Sequence, residues 1–227
     1  MIIKVCGMTD ATNIKEVIEA GANWIGLIFY PKSPRYIEMV STKAGIIPDL
    51  AKEEICQPLN HIKRVGVFVD DMPQNIITRV VNYQLDLVQL HGNENPTLIR
   101  NLRATMENDI KKGLKFIKAI NIADEDDFKQ CEAYDNVVDY FLFDTKCKEH
   151  GGSGKHFDWT ILDKYKGKTP FLLSGGIGIS DVQQIKQLHL PLMIGVDINS
   201  KFEITPGIKD AKEIKTFINQ LVTSNHE

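Results

Sequence analysis

Residues 171–200 read FLLSGGIGISDVQQIKQLHLPLMIGVDINS and hold one complete structural unit. Phe171–Leu173 is a short apolar run that stops at Ser174-Gly175-Gly176. Asp181–Leu188 follows with helical spacing, and Ser180 or Asp181 is suited to cap it. Met193–Asp197 is a second apolar run, ending in Asp197-Ile198-Asn199-Ser200. A run that is apolar without alternation fits a parallel strand covered on both faces. Strand, glycine turn, helix and strand in that order predict a βαβ crossover.

The same unit recurs through the chain. Strands are expected at Ile2–Cys6, Trp24–Tyr30, Arg64–Val69, Leu85–Leu90, Lys115–Ile120 and Tyr140–Asp144, besides the two already quoted. Successive strand ends lie 24, 39, 21, 30, 24, 29 and 24 residues apart, room for one strand, one helix and two short loops. Asn13–Ala20, Gln74–Tyr83 and Asp210–Leu221 carry apolar stripes at helical spacing. Eight strands alternating strictly with eight helices predict a closed (β/α)8 (TIM) barrel, with residues 1–227 as one catalytic domain. No Ser/Pro-rich linker divides the chain; the longest irregular stretch is 53–61.

Composition narrows the function. Lys and Arg number 27 against 30 Asp and Glu, a net charge of −3, which speaks against nucleic acid or an anionic membrane as the main partner. No apolar run approaches the ~20 residues that span a bilayer, and the first ten residues, MIIKVCGMTD, do not read as a secretory signal. Cys6, Cys56, Cys131 and Cys147 form no C-x-x-C pair, which fits reduced thiols and a cytoplasmic protein. The histidines lack metal-ligand spacing, so no metal is expected.

In a (β/α)8 barrel the reactive groups stand at the C-terminal ends of the strands. Nearly every polar or glycine residue that interrupts an apolar run falls there. Ser174-Gly175-Gly176 and Asp197 to Ser200 follow the seventh and eighth strands, where such barrels often hold a phosphate. Paired glycines let backbone N–H groups approach an anion, and Gly151-Gly152-Ser153-Gly154-Lys155 can close over it. The competing reading is that these are tight turns. Cys6 ends the first strand and is a nucleophile, a base or a packing residue; as a base, its thiol needs a nearby positive charge. Asp144 ends the sixth strand and is suited to proton donation or to holding loop N–H groups. Arg35, in the proline-framed loop Tyr30-Pro31-Lys32-Ser33-Pro34-Arg35-Tyr36, is suited to a carboxylate. His91 in Gln89-Leu90-His91-Gly92 either lines the mouth or bonds to the rim backbone.

Taken in order, these motifs resemble phosphoribosylanthranilate isomerase. The likeness is carried by Lys4-Val5-Cys6-Gly7-Met8-Thr9, the loop from Gly26 to Tyr36, Gly66-Val67-Phe68-Val69, Val88 to Gly92 and Asp144-Thr145. It continues through Gly151 to Trp159, Leu173 to Gly176, Gly195 to Ser200 and Pro206 to Asp210, covering essentially the whole chain. The resemblance implies an Amadori rearrangement in tryptophan biosynthesis. N-(5-phosphoribosyl)anthranilate becomes 1-(2-carboxyphenylamino)-1-deoxyribulose 5-phosphate, with no metal or organic cofactor. It implies Cys6 as general base and Asp144 as general acid. Arg35 would hold the anthranilate carboxylate, and Gly154, Gly175, Gly176, Asn199 and Ser200 the phosphate, with His91 and Asp197 also facing the substrate. Residues 43–61 are longer than the family's usual second helix and loop, and Cys147 adds a second thiol to the sixth loop. Other phosphosugar isomerase barrels and a non-catalytic phosphate-binding barrel are the rival readings. The sequence leaves a monomer and a homodimer both open.

Overall fold

The computed structural model describes residues 1–38, 40–42, 45–47, 62–145 and 158–222. Eight strands form the barrel: β1 (Ile2–Cys6), β2 (Trp24–Ile28), β3 (Lys63–Phe68), β4 (Leu87–Leu90), β5 (Lys115–Ile122), β6 (Tyr140–Thr145), β7 (Phe171–Ser174) and β8 (Met193–Ile198). They are parallel and close on themselves, with β1 bonded to both β2 and β8. The expected barrel is present.

Six α-helices lie among the described residues: α1 (Ala11–Glu19), α2 (Pro73–Asn82), α3 (Pro96–Thr105), α4 (Lys129–Glu132), α5 (Val182–Gln187) and α6 (Ala211–Val222). Strict alternation with eight full helices is therefore not what the described residues show. Between β6 and β7 the described residues hold a 3₁₀ helix, Trp159–Lys164, which Asp158 caps by accepting the Thr160 N–H. The β5–β6 connection holds a 3₁₀ turn, Glu125–Phe128, and the single turn of α4. After β2 the described residues include a small antiparallel pair, Val40–Thr42 with Gly45–Ile47; the expected irregular stretch 53–61 lies outside them.

Helix starts follow local chemistry. Asp10 caps α1 by accepting the Asn13 N–H at 2.7 Å, and Asn95 caps α3 by accepting the Leu98 N–H at 2.9 Å. Pro73 and Pro96 occupy first-turn positions, where the missing N–H has no partner to lose. Asp181 precedes α5 but does not cap it; its carboxylate reaches back to the Gly178 N–H at 2.7 Å.

Alternation along each strand sorts the side chains. Ile3 and Val5, Val88 and Leu90, Phe141 and Phe143, and Leu173 and Val196 face the helices and join one large core. Trp24, Val65, Leu87, Ile117, Leu142 and Leu172 form a second core inside the barrel. Each fully buried large side chain contributes about 1.5–3 kcal/mol by leaving water. That inner core fills the lower layers. On the same inward faces, two residues further on, come Gln89, Asp144 and Ser174, and Cys6 of β1 and Asp197 of β8 line the same cavity. The polar layer that forms the site is thus the last inward layer of the strands.

Candidate active site

A cavity of about 280 Å³ opens at the C-terminal ends of the strands. Cys6, Arg35, His91, Asp144, Gly175, Gly176, Asp197, Asn199 and Ser200 all line it. The whole glycine-rich loop Gly151–Lys155, Gly154 included, lies outside the described residues, as do Cys56 and Cys147. Two larger cavities, of about 620 and 490 Å³, lie on the outer helical layer, beside α2 and α3 and beside α1 and α6. Neither lies at the strand ends.

Cys6 is buried, 4% exposed, and shares the inward face of β1 with Lys4. The register of β1 on β8 sets Lys4 opposite Asp197, and Lys4 Nζ donates to Asp197 Oδ1 at 2.8 Å. Burial alone would lower the Lys4 pKa, but Asp197 and then Cys6 outweigh it and hold the ammonium charged. For Cys6 burial wins and raises the thiol above its usual value, against the opposing pull of Lys4 and Lys209. Lys4 and Lys209 place positive charge beside the thiol, but they offset the effect of burial only in part. Asp197 is already engaged within the chain: one carboxylate oxygen is committed to Lys4, and Ser174 Oγ lies 3.5 Å from the other.

Asp144 is 6% exposed at the end of β6. His91 Nε2 stands 3.6 Å from Asp144 Oδ2, and His91 Nδ1 is 3.0 Å from Gln89 Nε2. The imidazole thus bridges the Gln89 amide and the Asp144 carboxyl, one ring nitrogen to each. Of the two readings of His91, the mouth is the one the coordinates give.

Arg35 does meet a carboxylate, and that carboxylate belongs to the chain. Its Nε and Nη2 donate to Glu203 Oε1 and Oε2 at 2.6 and 2.5 Å. Glu203 lies in the hairpin Glu203–Thr205 with Ile208–Lys209 that follows β8, and it also accepts from Lys209 Nζ at 2.7 Å and the Gly207 N–H at 3.0 Å. Burial pushes Glu203 up, yet Arg35, Lys209 and Gly207 together bring its pKa down to about 2. The guanidinium has three further N–H donors beyond the two held by Glu203. Its direction is set by this fork as well as by the prolines of its loop.

Lys209 is likewise buried, and its backbone is clamped by Asn13, which accepts the Lys209 N–H at 2.7 Å and donates to its carbonyl at 2.9 Å. Lys209 Nζ donates to Asn199 Oδ1 at 2.6 Å, fixing the turn that leads into Ser200. Gly175 and Gly176 have φ of +114° and +66°, which turns the chain sharply out of β7. A Cβ on Gly175 would run into the carbonyl oxygen of Thr145, so the β7 turn sits hard against the end of β6. Gly175, Gly176, Asn199 and Ser200 form one side of the cavity, with Arg35 among its other lining residues.

Four residues that shape this site escape a reading of strand ends alone: Lys4, Gln89, Glu203 and Lys209. Lys4 and Gln89 carry a signal, a polar residue two positions before a rim residue and hence on the same inward face. Glu203 carries none, because its meeting with Arg35 depends on a hairpin closing 168 residues away from it, and Lys209 carries only its place in the Pro206 to Asp210 motif.

Comparison with known proteins agrees with this geometry. The family model for N-(5'phosphoribosyl)anthranilate (PRA) isomerase matches residues 3–220. An N-(5'-phosphoribosyl)anthranilate isomerase of Parabacteroides distasonis is 45% identical, covering 98% of this chain and 94% of that one. The crystal structure of phosphoribosyl anthranilate isomerase from Thermotoga maritima superposes with a TM-score of 0.77 at 33% identity, covering 97% of this chain and 98% of that one. A second crystal structure, the isomerase in complex with reduced 1-(o-carboxyphenylamino)-1-deoxyribulose 5-phosphate, superposes with a TM-score of 0.74 at 30% identity and the same coverage. With its barrel, its ordered motifs and its rim in agreement, the chain belongs to the N-(5'-phosphoribosyl)anthranilate isomerase family.

Proposed function

We propose that the rim isomerises N-(5′-phosphoribosyl)anthranilate in tryptophan biosynthesis with Asp144 as general acid and Cys6 as general base. Asp144 gives its proton to the ribose ring oxygen, the bond from that oxygen to C1′ breaks, and the anilino nitrogen supplies the electrons that form an iminium. Cys6, as thiolate, then takes the proton from C2′, and the electrons of that bond neutralise the iminium to an enolamine. Tautomerisation gives the 2′-ketone. Proton transfers of this kind contribute about 10²–10⁴ each when the partners are held in place.

Both ends of the substrate are anionic. Gly175, Gly176, Asn199 and Ser200 receive the phosphate, with Gly154 closing over it, while the remaining N–H groups of Arg35 receive the anthranilate carboxylate. Tethering both ends holds the sugar between sulfur and carboxyl, which is where effective molarity is gained. The observation that carries this reading is that Cys6 and Asp144, from β1 and β6, line one cavity together with an arginine and the glycine turns.

The whole chain acts as one catalytic domain in the cytoplasm, as a monomer or a homodimer. No helix among the described residues is long and apolar enough to cross a membrane. The Thermotoga maritima relative is described as a dimeric enzyme. Cys6→Ser and Asp144→Asn are each expected to lower kcat by about 10²–10⁴ while leaving binding of the reduced product analogue largely intact. The test is steady-state turnover beside equilibrium binding, and undiminished turnover in either variant overturns the assignment. Complementation of a tryptophan auxotroph lacking this isomerase checks the activity in a cell.

A further inference from the structure

Ile117 and Ala119 of β5 face the barrel interior, so Lys118 between them points outward, yet it is only 3% exposed. Its Nζ donates to the carbonyls of Gly92, Ala119 and Leu90 at 2.7, 3.1 and 3.3 Å and lies 3.4 Å from Glu94 Oε2. Glu94 is also buried, and it accepts the Gly92 N–H at 3.0 Å and the Asp70 N–H at 2.9 Å. Tyr134 covers the pair: its ring centroid is 5.7 Å from Lys118 Nζ, and its hydroxyl donates to the Glu94 carbonyl at 2.9 Å. Burying an ammonium and a carboxylate is expensive, and carbonyls at a strand end can be left to water instead. What this pair holds is the main chain on both sides of His91, at Leu90 before it and at Gly92 after it. The His91 N–H is itself tied to the Phe68 carbonyl at 2.8 Å. From that fixed backbone the imidazole stands 3.6 Å from Asp144 Oδ2.

We propose that Lys118 and Glu94 are positioning residues for the isomerisation, clamping residues 90 and 92 so that the His91 imidazole is set against the Asp144 carboxyl. Neither of the two lines the cavity, so both act through His91. The inference rests on the isomerase reading above and extends it to a buried ion pair behind the rim. His91 ends a strand and is followed by glycine, where the backbone is otherwise free to pivot. A displacement of about 1 Å at a reacting group can cost as much as about 10²-fold in rate, which is what the clamp prevents.

Lys118→Met, Lys118→Met with Glu94→Gln, and each of these combined with His91→Ala test this. Thermal midpoint, kcat and affinity for the reduced product analogue are measured in all of them, beside wild type and His91→Ala. Lys118→Met strands a buried carboxylate and should lower the midpoint; adding Glu94→Gln removes that charge and should recover most of the loss. In both, kcat should fall about tenfold while affinity for the analogue changes less than about twofold. In the His91→Ala background the same changes should lower kcat by less than about twofold, because the group they position is gone. Unchanged kcat in Lys118→Met overturns the proposal. So does a kcat that recovers with the midpoint, a parallel loss of kcat and analogue affinity, a loss as large without His91 as with it, or failure of both Lys118 variants to fold, since each marks a purely structural pair. If only Lys118→Met fails to fold, the variant with Glu94→Gln carries the comparison. A wild-type protein that does not turn over phosphoribosylanthranilate overturns the isomerase reading itself, and the proposal with it.

Discussion

Lys4 Nζ stands 2.8 Å from Asp197 Oδ1, with side-chain exposures of 0% and 7%, on the same inward face of β1 that presents Cys6. Taking two charges out of water is expensive, and their attraction offsets it only while both remain. The pair therefore ties the β1–β8 closure of the barrel to the electrostatics of the thiol.

Lys4→Met is expected to destabilise the fold by about 3–5 kcal/mol, because it strands a buried carboxylate; Lys4→Met with Asp197→Leu should cost much less. Urea denaturation measures both. Lys4 also opposes the rise of the Cys6 pKa, so its loss should move the ascending limb of the pH–rate profile to higher pH in whatever folded enzyme remains. A limb that stays in place would show that Lys4 does not tune the base.

Glu203 has an ordinary pKa of 4.5 and is drawn down to about 2 in the folded chain. A depressed carboxyl contributes stability that is fully present above its unfolded pKa and is lost as pH falls through the folded one. Glu203→Gln should accordingly be less stable than wild type at pH 7, with the gap closing between about pH 4.5 and pH 2. Urea midpoints for both proteins at pH 7 and pH 3 give the comparison. A gap independent of pH would place the effect elsewhere than the Arg35–Glu203–Lys209 cluster.

Gly175→Ala and Gly176→Ala separate steric from conformational demand at the β7 turn. A Cβ at 176 meets nothing within 4 Å, so its expected penalty is the left-handed backbone alone, roughly 1–2 kcal/mol. At 175 the same atom strikes the Thr145 carbonyl, and φ is +114°, outside the region alanine visits. Gly175→Ala should lower the thermal midpoint well beyond Gly176→Ala and should weaken inorganic phosphate binding.

Burial pushes the Cys131 thiol up to about 12, with Asp135 adding to the shift. Virtually no thiolate exists at pH 8, so iodoacetamide should leave Cys131 unmodified in the folded protein and label it once urea is added. Peptide mapping by mass spectrometry reads this directly. Rapid labelling of Cys131 without denaturant would mean that the pocket around it opens readily.

The barrel and most of its rim are legible in the sequence because both depend on local pattern. Continuous apolar runs such as Phe141–Phe143 declare a strand covered on both faces, and a break in the run, at Asp144 or at Ser174-Gly175-Gly176, marks the strand's end. Spacing then limits the connections, though not their helix type: Trp159–Lys164 turns as a 3₁₀ helix in a connection where the alternation calls for an α-helix.

What sequence by itself determined, then, is which residues stand at strand ends and what chemistry each brings: a thiol at 6, a carboxyl at 144, an arginine at 35 and glycines at 175 and 176. Only the tertiary structure decided what each of them faces. Closure of β1 onto β8 sets Lys4 against Asp197 at a separation of 193 residues, and the final hairpin brings Glu203 to Arg35 across 168. Charge–charge contacts fall off over a few ångströms of space and take no account of distance along the chain. The partners that hold or tune these groups were therefore fixed only when the barrel closed.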